Sequence, residues 1–164
     1  MAKIEQKALT MSLIFIILLA TLASSVAAAP LGTSETATVN AAKTWIGVKV
    51  IHEGNSRSGI DCSHLVYQVY KKVGAKGIVF ETVANMKKDK YYVTTKSPRP
   101  GDVIFWKKVV IKNGTKYWLD GHVGIYIGNG RFIHASNEMR KVTTDSITGI
   151  YKDGMPYYAR WSRK

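Results

Sequence analysis

The chain of 164 residues is poor in cysteine and in acidic side chains: it contains one cysteine, Cys62, and 11 Asp and Glu against 24 Lys and Arg. A single cysteine cannot form a disulfide within the chain, so folding depends on a hydrophobic core, and this length suits one domain. The sequence contains no internal repeat, low-complexity tract or zinc-ligand spacing. These absences exclude repeat architectures and structural zinc modules.

The shortage of acidic residues leaves a net charge of +13. A basic protein concentrates near anionic polymers, such as cell-wall glycopolymers, acidic peptides, lipid head groups or nucleic acid. The basic residues are scattered, without an RNP-like aromatic motif or a continuous basic helix, which argues against nucleic acid as a partner. Anionic cell-wall polymers remain compatible with the charge.

The N-terminal segment has the pattern of a secretory signal peptide. Lys3 and Lys7 precede an apolar run from 13 to 22, and small residues follow up to Ala29. The run is shorter than the roughly twenty residues that span a bilayer, and no cysteine follows it for lipid attachment. An uncleaved anchor is the alternative interpretation.

We therefore predict that residues 1–27 are a cleaved signal peptide, with cleavage after Ala27 or one residue later. Residues 28–164 would then form a single domain that is secreted, periplasmic or cell-wall associated. We expect this domain to be monomeric, with no stable membrane insertion after cleavage.

The remaining sequence predicts helices first and a mostly antiparallel sheet second, which is an α+β fold. Helices are predicted over 36–45, from Cys62 to just before Gly74, and over 80–88. A basic, polar linker closed by Pro98 to Gly101 follows. Strands are predicted over 102–107, 109–119 with a turn at Asn113-Gly114, 122–127, 131–136, 141–146 and 157–161.

Cys62 follows a glycine-rich segment, Gly54 to Gly59, and stands in the first turn of the second helix. Asp61 can cap that helix through its carboxylate. A helix N-terminus stabilises an anion, and sulfur attacks only as a thiolate, so the position favours a nucleophile. A buried, inert cysteine is the alternative.

The two arms of the 122–136 hairpin each carry a histidine, His122 and His134. A two-residue loop at Asn129-Gly130 would place them on opposite faces of the hairpin. A three-residue loop, 128–130, would place His134 opposite Gly124 and on the face of His122. Turn preferences alone do not decide between the two.

Three stretches, in this order, resemble the NlpC-type cell-wall endopeptidases of the papain-like superfamily. They are Gly59-Ile-Asp-Cys-Ser-His-Leu-Val66, Arg99-Pro-Gly-Asp-Val-Ile-Phe105 and Gly121-His-Val-Gly-Ile-Tyr-Ile-Gly-Asn-Gly-Arg-Phe-Ile-His-Ala135. The resemblance implies a papain-like fold with the nucleophile at a helix N-terminus, and it favours the three-residue loop.

The resemblance also implies that Cys62 is the catalytic nucleophile, His122 the general base and His134 the residue that orients the base. Backbone N–H groups at the helix start would hold the oxyanion, and Ser63 and Asp61 are candidates for substrate or oxyanion binding. The implied reaction is hydrolysis of the peptidoglycan stem peptide, between D-glutamate and diaminopimelate or lysine, with no metal or cofactor.

Several residues depart from the family pattern. Val50 replaces a tyrosine near the oxyanion site, and His52, Glu53 and Gly54 replace a tryptophan and two glycines. His64 replaces a glycine, and its helix position predicts a surface side chain directed away from the thiol. These departures bear on substrate choice and rate.

Two other functions are compatible with the sequence. The altered loop before the nucleophile suggests a cell-wall-binding module that has lost turnover, although binding alone does not require a cysteine and two histidines. An amidase or acyltransferase could use the same residues on another acyl group. Trp106, Trp118 and Trp161 are expected to pack, with a groove for sugars or peptides as the alternative.

Overall fold

The computed structural model describes residues 34–162, so the predicted signal peptide, 1–27, lies outside the described residues. Within 34–162 every helix is too short or too polar to cross a bilayer. In chain order the elements are α1 (Glu35–Lys43), β1 (Asn55–Ser56), β2 (Gly59–Ile60), α2 (Cys62–Lys72), α3 (Val83–Met86), β3 (Tyr92–Thr95), β4 (Val103–Trp106), β5 (Val110–Lys112), β6 (Thr115–Tyr117), β7 (Val123–Gly128), β8 (Arg131–Ser136), β9 (Lys141–Ser146), α4 (Ile150–Asp153) and β10 (Pro156–Trp161).

The main sheet has six strands in the order β3-β10-β4-β7-β8-β9, and every neighbouring pair is antiparallel. Helices α1 to α3 precede this sheet in the chain, and among residues 34–162 only the short α-helix α4 interrupts its strands, which confirms the predicted α+β class. The predicted polar linker was wrong in part, because it contains the edge strand β3. Only Tyr92 of that strand is buried, so the strand lacks the alternating apolar pattern that marks most strands.

Two hydrophobic clusters cover the two faces of the sheet. All four residues of β4 are buried: Val103 and Phe105 belong to the cluster that contains α1 and α2, and Ile104 and Trp106 belong to the other. This alternation follows from the two-residue period of a strand. The second cluster is closed by Ile150 and Tyr151 of α4 and by the β5–β6 hairpin, so it forms a separate layer behind the sheet.

The β7–β8 hairpin has a two-residue loop and a bulge in β7, and the bulge sets which faces His122 and His134 share. Gly128 pairs with Arg131, so the loop is Asn129-Gly130 and the three-residue loop was wrong. Both loop residues have positive φ, +52° and +67°, as a type I′ turn requires. The register then shifts between Tyr126 and Gly128, so that Ile125 pairs with Ile133.

The bulge restores the register that the longer loop would have produced. With Ile125 opposite Ile133, His134 falls opposite Gly124 and shares a face with His122. A Cβ on Gly124 would lie 3.3 Å from the Cβ of His134 and 3.1 Å from the carbonyl oxygen of Ile133. Glycine at this position therefore lets the two strands approach around His134.

An ion pair between a buried aspartate and a partly exposed arginine joins the start of β4 to the last strand. Asp102 accepts hydrogen bonds from Nε and Nη2 of Arg160, each at 2.8 Å, and from the backbone N–H of Arg99. The bidentate geometry and the additional donor satisfy a carboxylate that is almost fully buried. This pair secures the register of the central strands.

Candidate active site

The helix start carries the only cysteine. Asp61 is the N-cap of α2, and its Oδ1 accepts the backbone N–H of His64 at 2.7 Å. The cap satisfies one of the free amides of the first turn, so the helix begins at Cys62, which is half-buried at the surface of the main core. This placement agrees with the prediction from sequence.

The backbone N–H groups of Val123, Ser63 and Cys62 itself lie near the sulfur and favour its anionic form. Helix α2 packs against β7, the strand that directly follows His122. Burial raises the pKa of the thiol to about 11, and the Asp61 charge adds to this rise, while the three N–H groups oppose it. The resting side chain is a neutral thiol.

His122 is placed by a short turn before β7. The turn, Leu119–Gly121, is a single 3₁₀ helix, and the N–H of His122 donates to the Leu119 carbonyl at 3.0 Å. Lys87 donates to the carbonyls of Asp120 and Trp106, which holds the turn against β4. The hydrogen bond within the turn and those from Lys87 therefore fix the backbone from which the His122 side chain projects.

His122 and His134 are joined directly. Nε2 of His122 lies 2.8 Å from Nδ1 of His134, and the rings meet nearly edge to face. Because Nε2 is taken, Nδ1 is the nitrogen of His122 that remains for a proton from Cys62. Burial, followed by the charge effect of His134, lowers the pKa of His122 to about 3, so the imidazole is neutral at rest.

The structure adds Asp145 and Tyr151 to this chain, and the sequence analysis missed both. Oδ2 of Asp145 lies 2.8 Å from Nε2 of His134, and the hydroxyl of Tyr151 donates to the same oxygen at 3.3 Å. Asp145 pairs with Phe132 across β8 and β9, which puts it diagonal to His134 on one face. The hydrogen bond from His134 lowers the pKa of Asp145, and Tyr151 adds to this effect.

Aromatic rings enclose the two histidines. Phe132 lies 4.8 Å and Tyr151 5.5 Å from His134, between ring centroids, and Trp106 lies 5.6 Å from His122. His134 is 1% exposed. The surroundings have a low dielectric constant, which strengthens the hydrogen bonds between these groups. A change in the proton position on one ring therefore changes the proton position on the other.

Ser63 and Asp61 have side chains engaged at the helix start. The Ser63 hydroxyl donates to Oδ1 of Asp61 at 2.8 Å, and Nδ1 of His64 lies 2.9 Å from Oδ2. The prediction that Ser63 and Asp61 bind the substrate or the oxyanion stays a prediction. The expectation of a surface side chain at His64 was wrong: it is 14% exposed and stacks on Phe80 at 3.8 Å.

A cavity of about 240 Å³ opens beside the histidines. Its wall includes His122, His134, Tyr151 and, from the β5–β6 hairpin, Lys116 and Trp118. Trp118 is 64% exposed, so it does not pack as expected, whereas Trp106 and Trp161 do. Its indole ring faces the ammonium of Lys116 at 3.7 Å, which makes a cationic, aromatic rim at the mouth of the cavity.

The segment that departs from the family pattern lies next to the nucleophile. Val50 forms a parallel bridge with Ile60, two residues before Cys62, and its N–H donates to the Arg140 carbonyl. Val50, His52 and Arg140 line an open cavity of about 390 Å³. The space beside Val50 is therefore open enough to hold a larger side chain.

Among residues 34–162, no group of three or more His, Cys, Asp and Glu side chains has the geometry of a metal site. The groups around the histidines are instead arranged as a linear series of hydrogen bonds. Such a series can fix the position of a proton along it, which suits acid and base chemistry at Cys62.

The profile of the NlpC/P60 family matches residues 47–157, a range that contains Cys62, both histidines and Asp145. The chain belongs to the NlpC/P60 family. This confirms the family inferred from the three sequence stretches.

Relatives and solved structures agree with this assignment. The chain is 35% identical over 133 residues to the gamma-DL-glutamyl hydrolase of Bacillus subtilis, covering 79% of this chain and 29% of that protein. It is 28% identical over 107 residues to a probable endopeptidase NlpC homolog of Haemophilus influenzae, covering 65% of this chain and 51% of that protein. The chain thus spans about half or less of these curated relatives.

The fold is confirmed by the crystal structure of the NlpC/p60 domain of peptidoglycan hydrolase SagA. That domain matches with a TM-score of 0.57 and 28% identity, over 77% of this chain and 97% of the domain. A Bacillus cereus NlpC/P60 family protein matches with a TM-score of 0.62 and 26% identity, over 79% of this chain and 40% of that chain. The papain-like α+β fold is therefore the fold of this protein.

Proposed function

We propose that this protein is a cysteine endopeptidase that hydrolyses peptide bonds of the peptidoglycan stem peptide through a thioester intermediate. One observation carries the proposal: His122 is hydrogen-bonded to His134 directly before β7, and the helix that begins with Cys62 packs against β7. This arrangement supports a site made of a thiol, a neutral base and an orienting group. An inert buried cysteine has no need of the two histidines.

The first half of the reaction forms the thioester. Nδ1 of His122 takes the thiol proton as the sulfur attacks the peptide carbonyl, and an S–C bond forms. N–H groups at the start of α2 stabilise the negative oxygen, each donor contributing about 2.7 to 4 kcal/mol in comparable sites. His122 then gives its proton to the amine as the C–N bond breaks.

The second half releases the acid. His122 takes a proton from water, and the resulting hydroxide attacks the thioester carbonyl. The S–C bond breaks, and the proton returns from His122 to the sulfur. His134 keeps the His122 ring in one orientation through both steps, as the third member of a triad does.

The relatives point to the substrate class. The similarity to a murein DD-endopeptidase and a peptidoglycan DL-endopeptidase supports a wall peptide, and the similarity to a gamma-DL-glutamyl hydrolase supports a glutamyl bond. We propose cleavage between D-glutamate and diaminopimelate or lysine. The net charge of +13 suits a substrate rich in carboxylates.

We further propose that residues 28–164 are the catalytic domain and that the protein acts outside the cytoplasm. Peptidoglycan lies outside the cytoplasmic membrane, and the N-terminal residues have the composition of a signal peptide. N-terminal sequencing of the exported protein tests the boundary, with Ala28 or Ala29 expected as the first residue.

Digestion of purified peptidoglycan tests the function. The unmodified protein should release new free amines, and mass spectrometry of the fragments should show N-terminal diaminopimelate or lysine. The Cys62→Ala protein should bind the wall equally and release nothing. Wall binding without release by the unmodified protein would indicate a binding module. Fragment masses that place the new amine at another amide bond would indicate an amidase, and an acyl group joined to a different acceptor would indicate an acyltransferase.

A further inference from the structure

We propose that Asp145 is a positioning residue: through His134 it holds His122 in the one tautomer that can accept the proton of Cys62. The proposal extends the reaction proposed above from a triad to a series of four side chains. The effect of Asp145 on the reacting atoms runs through two imidazole rings.

Hydrogen bonds join three members of the series, His122, His134 and Asp145. Asp145 Oδ2 lies 2.8 Å from Nε2 of His134, and Nδ1 of His134 lies 2.8 Å from Nε2 of His122. Both nitrogens of His134 are therefore engaged, on a ring that is 1% exposed. The protonation pattern of the ring is therefore set by these two neighbours.

The proton positions follow from the donors and acceptors. An ionised carboxylate only accepts, so Nε2 of a neutral His134 must carry the hydrogen that is donated to Asp145. Its Nδ1 is then an acceptor and must receive the Nε2 hydrogen of His122. His122 is left with a bare Nδ1, which is the nitrogen available to the thiol.

Removal of the carboxylate makes the opposite arrangement possible. His134 could then carry its hydrogen on Nδ1 and donate it to Nε2 of His122. His122 would in turn hold its hydrogen on Nδ1 and could not take a proton from Cys62. The carboxylate also offsets the positive charge that His122 gains in each half of the reaction, at a distance of one ring.

Asp145→Asn is the sharpest substitution, because it keeps the shape and offers an amide N–H that favours the wrong tautomer of His134. We expect kcat on soluble muropeptides to fall about 10- to 100-fold with KM within about twofold, the usual cost of losing a group that orients another. Asp153→Asn removes an equal charge from an exposed site in α4 and should leave both constants unchanged.

Nitrogen-15 NMR of histidine-labelled full-length protein reports the tautomers directly, with resonances assigned by single His→Gln replacements. The unmodified protein should show Nε2–H on both His122 and His134, and Asp145→Asn should move the hydrogen to Nδ1. Unchanged kcat and tautomers in Asp145→Asn, or Nδ1–H on His134 of the unmodified protein, would overturn the proposal. If the unmodified protein shows Nε2–H on both rings but hydrolyses no wall peptide, the proposed function fails and the positioning role stands.

Discussion

The imidazoles of His122 and His134 share one hydrogen bond, with 2.8 Å between Nε2 of the first ring and Nδ1 of the second. Only one hydrogen can lie between these two nitrogens, so for two neutral rings the tautomer of one fixes the tautomer of the other. Their common face depends on the bulge between Tyr126 and Gly128, which shifts the hairpin register by one residue. The chemistry proposed for Cys62 therefore rests on a backbone irregularity some distance from the thiol.

The pH dependence of hydrolysis should be unusually broad. The pKa of Cys62 is raised to about 11 and that of His122 is lowered to about 3, so between these values the pair holds one proton. Below the lower pKa a second proton binds, and His122 can no longer act as a base. Above the upper pKa the pair loses its remaining proton, and no acid is left. We expect kcat/KM to be flat between about pH 5 and 9 on a substrate that does not titrate there. Limbs near pH 6.5 and 8.5, the ordinary values for the two groups, would contradict this.

Gly124→Ala should damage the site more than the fold. A Cβ there would lie 3.0 Å from Cδ2 of Phe132 and 3.3 Å from the Cβ of His134, so β8 must shift. Overpacking of this kind costs about 1 to 3 kcal/mol of unfolding free energy, and a displaced His134 should lower kcat at least tenfold. Urea unfolding and steady-state kinetics measure the two effects. Gly121→Ala is the matched control, because no atom lies within 4 Å of the added Cβ.

Trp118→Ala should weaken substrate binding without affecting stability. The indole is 64% exposed and forms part of the wall of the cavity beside His122, so its loss removes contact area for the substrate and little packing. We expect KM for muropeptides to rise about 3- to 10-fold, with the Tm unchanged, as for an exposed aromatic that contributes about 1 kcal/mol. Ile111→Ala, on the same hairpin and 71% exposed, should leave KM unchanged. An equal rise in KM for both variants would mean that the hairpin as a whole, rather than the Trp118 indole, contributes to substrate binding.

Val50→Tyr should raise turnover. Val50 bridges to Ile60 close to Cys62 and lines an open cavity of about 390 Å³, which leaves room for a ring. A phenol there could donate to the developing oxyanion, and a gain of about 1 kcal/mol would raise kcat roughly fivefold. Val50→Phe adds the ring without the hydroxyl and should not raise kcat. Equal kcat values for the two variants would place the tyrosine hydroxyl outside the oxyanion site.

Much of the local structure could be predicted because its signals are local. Asp61 caps α2 where the sequence indicates, β9 spans Lys141–Ser146 as expected, and the Asn113-Gly114 turn joins β5 to β6. Each depends on residues within a few positions of one another. The edge strand β3 was missed because its partner, β10, lies more than sixty residues away and its side chains are mostly polar.

The tertiary structure alone decided the positions of His134 and Asp145. A bulge is favoured by the packing of β7 against its neighbours and leaves no mark on the turn residues, so both hairpin registers were open from the sequence. Asp145 is one acidic residue in a polar strand, and only the β8–β9 register and the packing of Tyr151 bring its carboxylate to His134. The sequence by itself determined the family and the helix that begins at Cys62, and it identified Cys62 and the two histidines as candidates, since residue type and short-range spacing encode these. Hydrogen bonds between residues on different strands depend on register and packing, which arise when the whole sheet forms.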